Sequence, residues 1–308
     1  VSPRIEDAIG LKERNVHGVG VGYKEVGDTL TKSICIRFYV HRKLPQNLVS
    51  RDLRLPHHID GVPVDVIELP PPNLAAGRPR CSIERKEPQT PIRPGISGAH
   101  RDVAYGTIGA FCRSTLSSDR PEDLFVLSNN HVFGDQNRAQ SGDPIFQPSR
   151  GDGGQASNAI AAFHRGARLK RGPDADNSVD AAIGRVLPSV NVDPEICGIG
   201  RLRGIAEPSL VRNKVRKHGR TTYLQDGRIV DIDYEDVFGG WKFSKQFLIA
   251  PDRNSAGFAA SGDSGSLVVN SNNNFAVGLL FAYIAARGGM GVANPIQAVI
   301  DKLSIELI

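Results

Sequence analysis

The residues best suited to chemistry lie at 261–266, SGDSGS, followed at once by the apolar run LVV. A serine hydroxyl is a weak nucleophile. Acyl transfer at it needs a base to take its proton and donors to hold the tetrahedral oxyanion. Gly262 can adopt backbone angles closed to other residues, so the N–H groups of Gly262 and Ser264 can converge beside the Ser264 hydroxyl. Gly265 is read as leaving room for a substrate backbone. A GDSG string also suits an ordinary turn, so this reading requires partners elsewhere in the chain.

The first partner is His131, in LFVLSNNHVF at 124–133, where an apolar strand runs into a polar turn. An imidazole at a strand mouth is positioned without being buried, which suits a base working near neutral pH. The plain alternative is a loop histidine with a local hydrogen bond. The other seven, His17, His41, His57, His58, His100, His164 and His218, lack this strand-end setting ahead of the serine motif. The second partner is a carboxylate to fix the imidazole tautomer and stabilise the imidazolium. PDADNSVDAAIGRV offers Asp174, Asp176 and Asp180. Asp180 is favoured because it directly precedes the strand-like AAIGRV, whereas the other two lie in a proline-bearing loop.

Other motifs carry less. Gly18, Gly20 and Gly22 in GVGVG are followed by no helix, so a glycine-bearing strand fits better than a phosphate loop. GDGG at 151–154 lacks the ligand spacing of an EF-hand loop and reads as a surface turn. Cys112 reads as a buried strand residue. No metal or cofactor is expected.

The elements that must hold these residues are mostly strands. From residue 105 onward, short apolar runs alternate with glycine, proline, aspartate and asparagine clusters, the pattern of an antiparallel β protein. Runs at 107–112 and 124–127 flank a polar loop at 114–123, as in a hairpin. Further runs fall at 181–187, 227–232, 247–250, 266–269 and 275–282. Residues 295–303 place Ile296, Val299, Ile300 and Leu303 at helical spacing after a proline and predict a closing helix. About 200 residues of this character suit two packed six-stranded antiparallel barrels. Ahead of them, strand-like runs at 16–24, 33–40 and 62–69 follow a short helical stretch at 6–14, which predicts a small α+β domain. In the second run Ile34, Ile36, Phe38 and Val40 share one face. The proline-rich, charged stretch 70–98 reads as a linker. The domains are therefore set at 1–90 and 91–308.

The order His131, Asp180, Ser264, in NNHV, VDAAI and GDSGS, resembles that of the trypsin-like, chymotrypsin-fold serine peptidases, especially intracellular and bacterial members. The similarity covers roughly residues 100–308 and includes AVGLLFAY and GMGVANPI, which resemble the strands walling the substrate pocket. It implies hydrolysis of peptide bonds through an acyl-enzyme on Ser264. It also implies a pocket floored by Phe258, with Ala260, Phe281, Ala282 and Gly291 around it, preferring apolar or small side chains. Val132 stands where secreted relatives carry a disulfide-bonded cysteine. Those relatives also pair the aspartate before the serine, here Asp263, with a freed N-terminus. No matching cleavage signal is present, so either Asp263 has another partner or the resting site is only partly formed until an activating signal assembles it. Limited, regulatory cleavage of a protein partner is implied, with the N-terminal domain setting partner choice, homo-oligomerisation or access. The alternative is a catalytically silent binding or scaffold module on the same fold.

Composition narrows the setting. The net charge of +5 arises from 38 basic against 33 acidic residues spread along 308 positions. A nucleic-acid partner is not expected, and RNKVRKHGR at 212–220 lacks interleaved aromatics. No run is long enough to span a bilayer. The four cysteines, Cys35, Cys81, Cys112 and Cys197, are read as free thiols, which predicts a cytoplasmic protein. The chain opens at Val1 and lacks the apolar block of a signal peptide.

Overall fold

The computed structural model describes residues 15–26, 29–68, 83–172, 175, 177–211, 214–252, 257–285 and 289–308. The expected helix at 6–14, Cys81, Asp174 and Asp176 lie outside them. The chain divides into two compact units, Val1–Gly77 and Arg78–Ile308.

In the first unit, β1 (Val16–Val26) pairs antiparallel with β2 (Thr29–Val40). Two single-turn 3-10 helices, Gln46–Leu48 and Arg51–Leu53, and the short β3 (His58–Ile59) carry the chain to β4 (Val62–Glu68), which runs parallel to β2. Phe38 and Val40 are buried with Ile36, Val64 and Val66 packed alongside. The alternation read in β2 governs only its later half, because Ile34 is 59% exposed whereas Cys35, on the opposite face, is buried. Gly18, Gly20 and Gly22 lie in β1, as expected, facing Tyr39 and Arg37 across the pair.

The second unit contains β5 (Ala99–His100), β6 (Ala110–Ser114), β7 (Phe125–Ser128), the one-turn helix α1 (Asn130–Phe133), β8 (Pro144–Phe146), β9 (Ala159–Gly166) and β10 (Ala182–Val186). There follow β11 (Gly204–Ile205), β12 (Lys214–Gly219), β13 (Tyr223–Phe238), β14 (Trp241–Pro251), β15 (Leu267–Asn270), β16 (Phe275–Ile284), β17 (Met290–Pro295), α2 (Ile296–Leu303) and β18 (Ile305–Leu307). One seven-stranded sheet has the order β18-β6-β7-β10-β9-β8-β5, the other β11-β16-β15-β12-β13-β14-β17. In the latter, β17 also pairs with β16, so six strands form a closed cycle of pairings with β11 attached outside.

Both faces of the first sheet are apolar, and the strand sequences show why. In β7, Val126 joins Phe111, Ile108, Phe133 and Ile145 in one cluster, while Phe125 and Leu127 point the other way. That second face meets Leu267, Val269 and Leu279 of the other sheet and Ile296, Val299 and Leu303 of α2. Period-2 alternation of side chains thus produces a continuous apolar run when both faces are covered. The hydrophobic term per fully buried Phe or Leu is about 2 kcal/mol, so this central layer anchors the two sheets to each other. The closing helix forms where its spacing predicted. Ser304 then adopts a left-handed conformation and turns the chain back, so that β18 pairs with β6.

Among the cysteines, Cys35 and Cys112 are buried free thiols, but Cys197 is disulfide-bonded. The reading of four free thiols is corrected accordingly, and with it goes the cysteine argument for a reducing compartment. No helix among the described residues is long and apolar enough to cross a membrane.

Candidate active site

His131 sits in α1, directly after β7, and Asp180 directly before β10, the antiparallel neighbour of β7. Adjacent strand ends bring the two together. Asp180 Oδ2 lies 2.6 Å from His131 Nδ1, and Asp180 Oδ1 accepts the His131 backbone N–H at 3.1 Å. A carboxylate only accepts, so the ring proton resides on Nδ1 and Nε2 is left as an acceptor. Asp180 is buried, while the His131 side chain is 27% exposed.

Two buried asparagines hold the Asp180 backbone. Asn129 Nδ2 donates to its carbonyl at 2.7 Å, and Asn294 Oδ1 accepts its N–H at 3.1 Å. Asn294, on β17, in turn donates to Gln246 on β14, whose amide reaches Ser178 O at 3.0 Å. The carboxylate belongs to the first sheet, and its backbone is held from both, the carbonyl by Asn129 beside β7 and the N–H by Asn294 of the second sheet.

Ser264 lies in the tight turn before β15. Gly262 and Gly265 there have φ of 94° and 95°, which few L-residues adopt. Thr107 pins the turn, its Oγ1 donating to Gly262 O at 2.8 Å and its N–H to Ser264 O at 2.9 Å. The Ser261 carbonyl accepts from Thr221 Oγ1 at 2.6 Å, and the Asp263 carbonyl accepts from Ser266 Oγ at 2.6 Å. In a trans peptide the N–H points opposite to the carbonyl. The Gly262 and Ser264 N–H groups are therefore turned away from these partners, and among the described residues neither donates a hydrogen bond. Gly265 has a different role from the one expected. A Cβ on it would meet Ser128 Oγ at 2.1 Å and Thr107 O at 2.2 Å, so its missing side chain serves internal packing. Ser264 Oγ donates to Phe281 O at 3.2 Å and makes no hydrogen bond with His131.

Asp263 has an internal partner. It and Lys217 on β12 are both 0% exposed, with Lys217 Nζ 3.1 Å from Asp263 Oδ2. The carboxylate also accepts from Thr221 N at 2.8 Å, Thr222 N at 3.1 Å, Thr222 Oγ1 at 2.7 Å and Ala260 N at 3.0 Å. Burial pushes Asp263 upward, but the Lys217 ammonium and the Thr222 and Thr221 hydrogen bonds outweigh it and hold Asp263 below the usual carboxylate range. The ammonium is met in addition by Thr222 Oγ1 and by Tyr223 O.

The later half of the basic stretch at 212–220 therefore turns inward, whereas Lys214 is exposed. Lys217, His218 and Arg220 are all buried, and Arg220 pairs with Asp152, itself held by Ser97 Oγ at 2.7 Å. The GDGG segment forms a largely exposed turn, as expected, but its Asp152 side chain points inward as an ion-pair partner. His218 Nδ1 lies 3.0 Å from Gly95 O. Burial, reinforced by the Lys217 and Arg85 cations against the Gly95 carbonyl, holds His218 down to about 4. Over the window from 6.5 to about 4 the folded protein therefore binds fewer protons than the unfolded chain, and acidification through that window removes stability. The expected loss is about 3 kcal/mol. Urea midpoints at pH 7 and pH 4.5 are expected to converge in His218→Gln relative to the parent. An unchanged pH slope in that variant would refute this assignment.

Phe258 is fully buried and its ring occupies space left by two glycines. A Cβ on Gly227 would lie 2.6 Å from Phe258 Cδ2, and one on Gly291 2.7 Å from Cδ1. Phe281 directs its carbonyl to Ser264 and its ring into a cluster with Trp241, Phe243 and Val292, the Phe243 ring centroid being 4.8 Å away. Ala260 and Ala282 are half-buried.

Sequence reading missed Lys217, Thr107, Thr221, Asn129 and Asn294. Asn129 alone had a usable signal, standing two residues before His131 in NNH.

The chain matches no protein-family model and no curated protein. Its structure is similar to that of Thermobifida fusca protease A, at 16% identity over 70% of this chain and 98% of that chain, with a TM-score of 0.51. It is similar also to a glutamic-acid-specific serine protease, at 13% identity over 70% and 100% of the respective chains with a TM-score of 0.52. Cellulomonas bogoriensis chymotrypsin gives 14% identity over 70% and 99%, with a TM-score of 0.50. At these identities the likeness shows the fold, which is that of the chymotrypsin-like serine proteases.

Proposed function

We propose that the chain is a serine endopeptidase that hydrolyses peptide bonds through an acyl-enzyme on Ser264. The observation that carries this reading is the 2.6 Å contact between His131 Nδ1 and Asp180 Oδ2, which leaves Nε2 free to act as a base. Rotation about the Ser264 Cα–Cβ bond releases Oγ from Phe281 O for attack on a substrate carbonyl. His131 Nε2 takes the proton, and Asp180 stabilises the imidazolium that results. The unengaged Gly262 and Ser264 N–H groups receive the oxyanion. The imidazolium then protonates the leaving amine, and water, activated by the same ring, releases the acyl group. Phe258 fills the pocket floor, which supports a preference for small or short apolar side chains before the scissile bond. The unit Val1–Gly77 is assigned to partner choice, self-association or access, which fits limited cleavage of a protein partner.

The bond from Ser264 Oγ to Phe281 O favours a second reading, a silent binding module whose hydroxyl stays turned from the histidine. A fluorophosphonate probe separates the two. The full chain is expected to be labelled at Ser264, with labelling abolished in Ser264→Ala and in His131→Ala. Absence of labelling in the parent protein would establish the silent module.

A further inference from the structure

We propose that Arg85 is a positioning residue for the oxyanion donors, its guanidinium and the Asp263 carboxylate clamping opposite edges of the same two peptide planes. The proposal rests on the serine peptidase reading of Ser264. Arg85 lies well ahead of β5 and is buried, with its guanidinium stacked over the Tyr223 ring.

The geometry is specific. In the peptide joining residues 220 and 221, the Arg220 carbonyl accepts from Arg85 Nε, and the Thr221 N–H donates to Asp263 Oδ1 at 2.8 Å. In the next peptide, the Thr221 carbonyl accepts from Arg85 Nη2 at 3.2 Å, and the Thr222 N–H donates to Asp263 Oδ1 at 3.1 Å. Carbonyl and N–H point to opposite edges of a trans peptide. The cation therefore meets the negative ends of two peptide dipoles and the anion meets their positive ends, so each charge strengthens the bonds made by the other. Lysine would present a point charge to these two carbonyls, whereas the planar fork of arginine addresses both. Burial draws Arg85 down to about 10, which still leaves it charged at neutral pH.

Thr221 carries the clamp onward. Its Oγ1 holds the Ser261 carbonyl, and this sets the direction of the Gly262 N–H. The segment bearing Arg85 is fastened in turn by Ser97 N donating to Arg85 O at 2.8 Å, and Ser97 Oγ reaches Asp152, the partner of the Arg220 side chain. Loss of the guanidinium frees two carbonyls and lets the Thr221 peptide rotate, which misdirects a donor without touching Ser264, His131 or Asp180.

The experiment compares the full-length parent with Arg85→Ala and Arg85→Lys. The expected result for Arg85→Ala is a fluorophosphonate labelling rate and kcat lowered roughly 10- to 100-fold with KM little changed. Guanidinium at sub-denaturing concentration is expected to restore part of the rate, and ammonium at equal concentration is not. Hydrogen exchange at the Thr221 and Thr222 amides is expected to accelerate in the same variant. A folded Arg85→Ala with parental labelling rate and amide protection would overturn the proposal. Should Arg85→Ala fail to fold, Arg85→Lys decides, an intermediate rate supporting the clamp and a parental rate refuting it. A parent protein that takes no label refutes the peptidase reading instead, and amide exchange alone then decides whether the clamp exists.

Discussion

Replacement of Asp180 by asparagine is expected to leave the fold standing and to lower kcat roughly 10⁴-fold. The substituted side chain retains a carbonyl oxygen that can accept the His131 backbone N–H. Its NH2 group, however, faces ring Nδ1 at the position where the carboxylate oxygen now lies 2.6 Å away. An amide donor there forces the imidazole proton onto Nε2, the nitrogen that must accept from Ser264. The base is then blocked by tautomer alone. Hydrolysis of an activated ester, the labelling rate at Ser264 and the thermal midpoint together test this. A variant with unchanged midpoint and less than about a tenfold loss of rate would remove Asp180 from the reaction. Asn129 and Asn294 act on the same group through its backbone, so the aspartate is held at both main-chain ends as well as at its carboxylate.

Lys217→Met is expected to destabilise the protein by about 3–5 kcal/mol, because it strands the Asp263 carboxylate in a fully buried site. The backbone and hydroxyl donors around Asp263 remain, but the opposing unit charge is gone. The double variant Lys217→Met with Asp263→Asn removes both charges and is expected to recover most of that loss. A coupling of about 2 kcal/mol or more in the resulting cycle is expected from urea unfolding. Lys217→Met costing under about 1 kcal/mol would show that hydrogen bonds suffice for Asp263. The pair also sets an acid limit. Since Asp263 is held below its ordinary value, its contribution is present above about pH 4 and is lost as pH falls through the lowered folded value. Activity is expected to fall with stability in Lys217→Met, because the turn bearing Ser264 is tied to Asp263.

The residues carrying the proposed chemistry were legible because each stands in a short local pattern. SGDSGS places a serine between two glycines that adopt positive φ, and NNHV and VDAAI each put one polar group at a strand end. The strands were legible for a related reason. Side chains alternate with period 2, and turns are marked by glycine, proline and asparagine. Gly265 shows the limit of such reading. Its type was informative, but its function depends on Ser128 and Thr107, more than a hundred residues away in sequence.

The cysteines failed for the same reason, since pairing depends on the approach of distant chain segments and not on spacing. The basic residues at 217–220 show that a charge count carries no direction. In β12, Lys217 and His218 are buried, and only the presence of Asp263 and the Gly95 carbonyl makes that tolerable.

The sequence by itself determined a mainly β chain and singled out Ser264, His131 and Asp180, because backbone permissiveness and strand-end placement are local properties. Only the tertiary structure decided what holds them in place. Lys217, Thr107, Arg85 and Asn294 act across long stretches of chain, and a buried charge or amide reveals its purpose only when its partner is in view. For the same reason the hydroxyl direction at Ser264, which lies toward Phe281 O in this structure, could be read from coordinates alone.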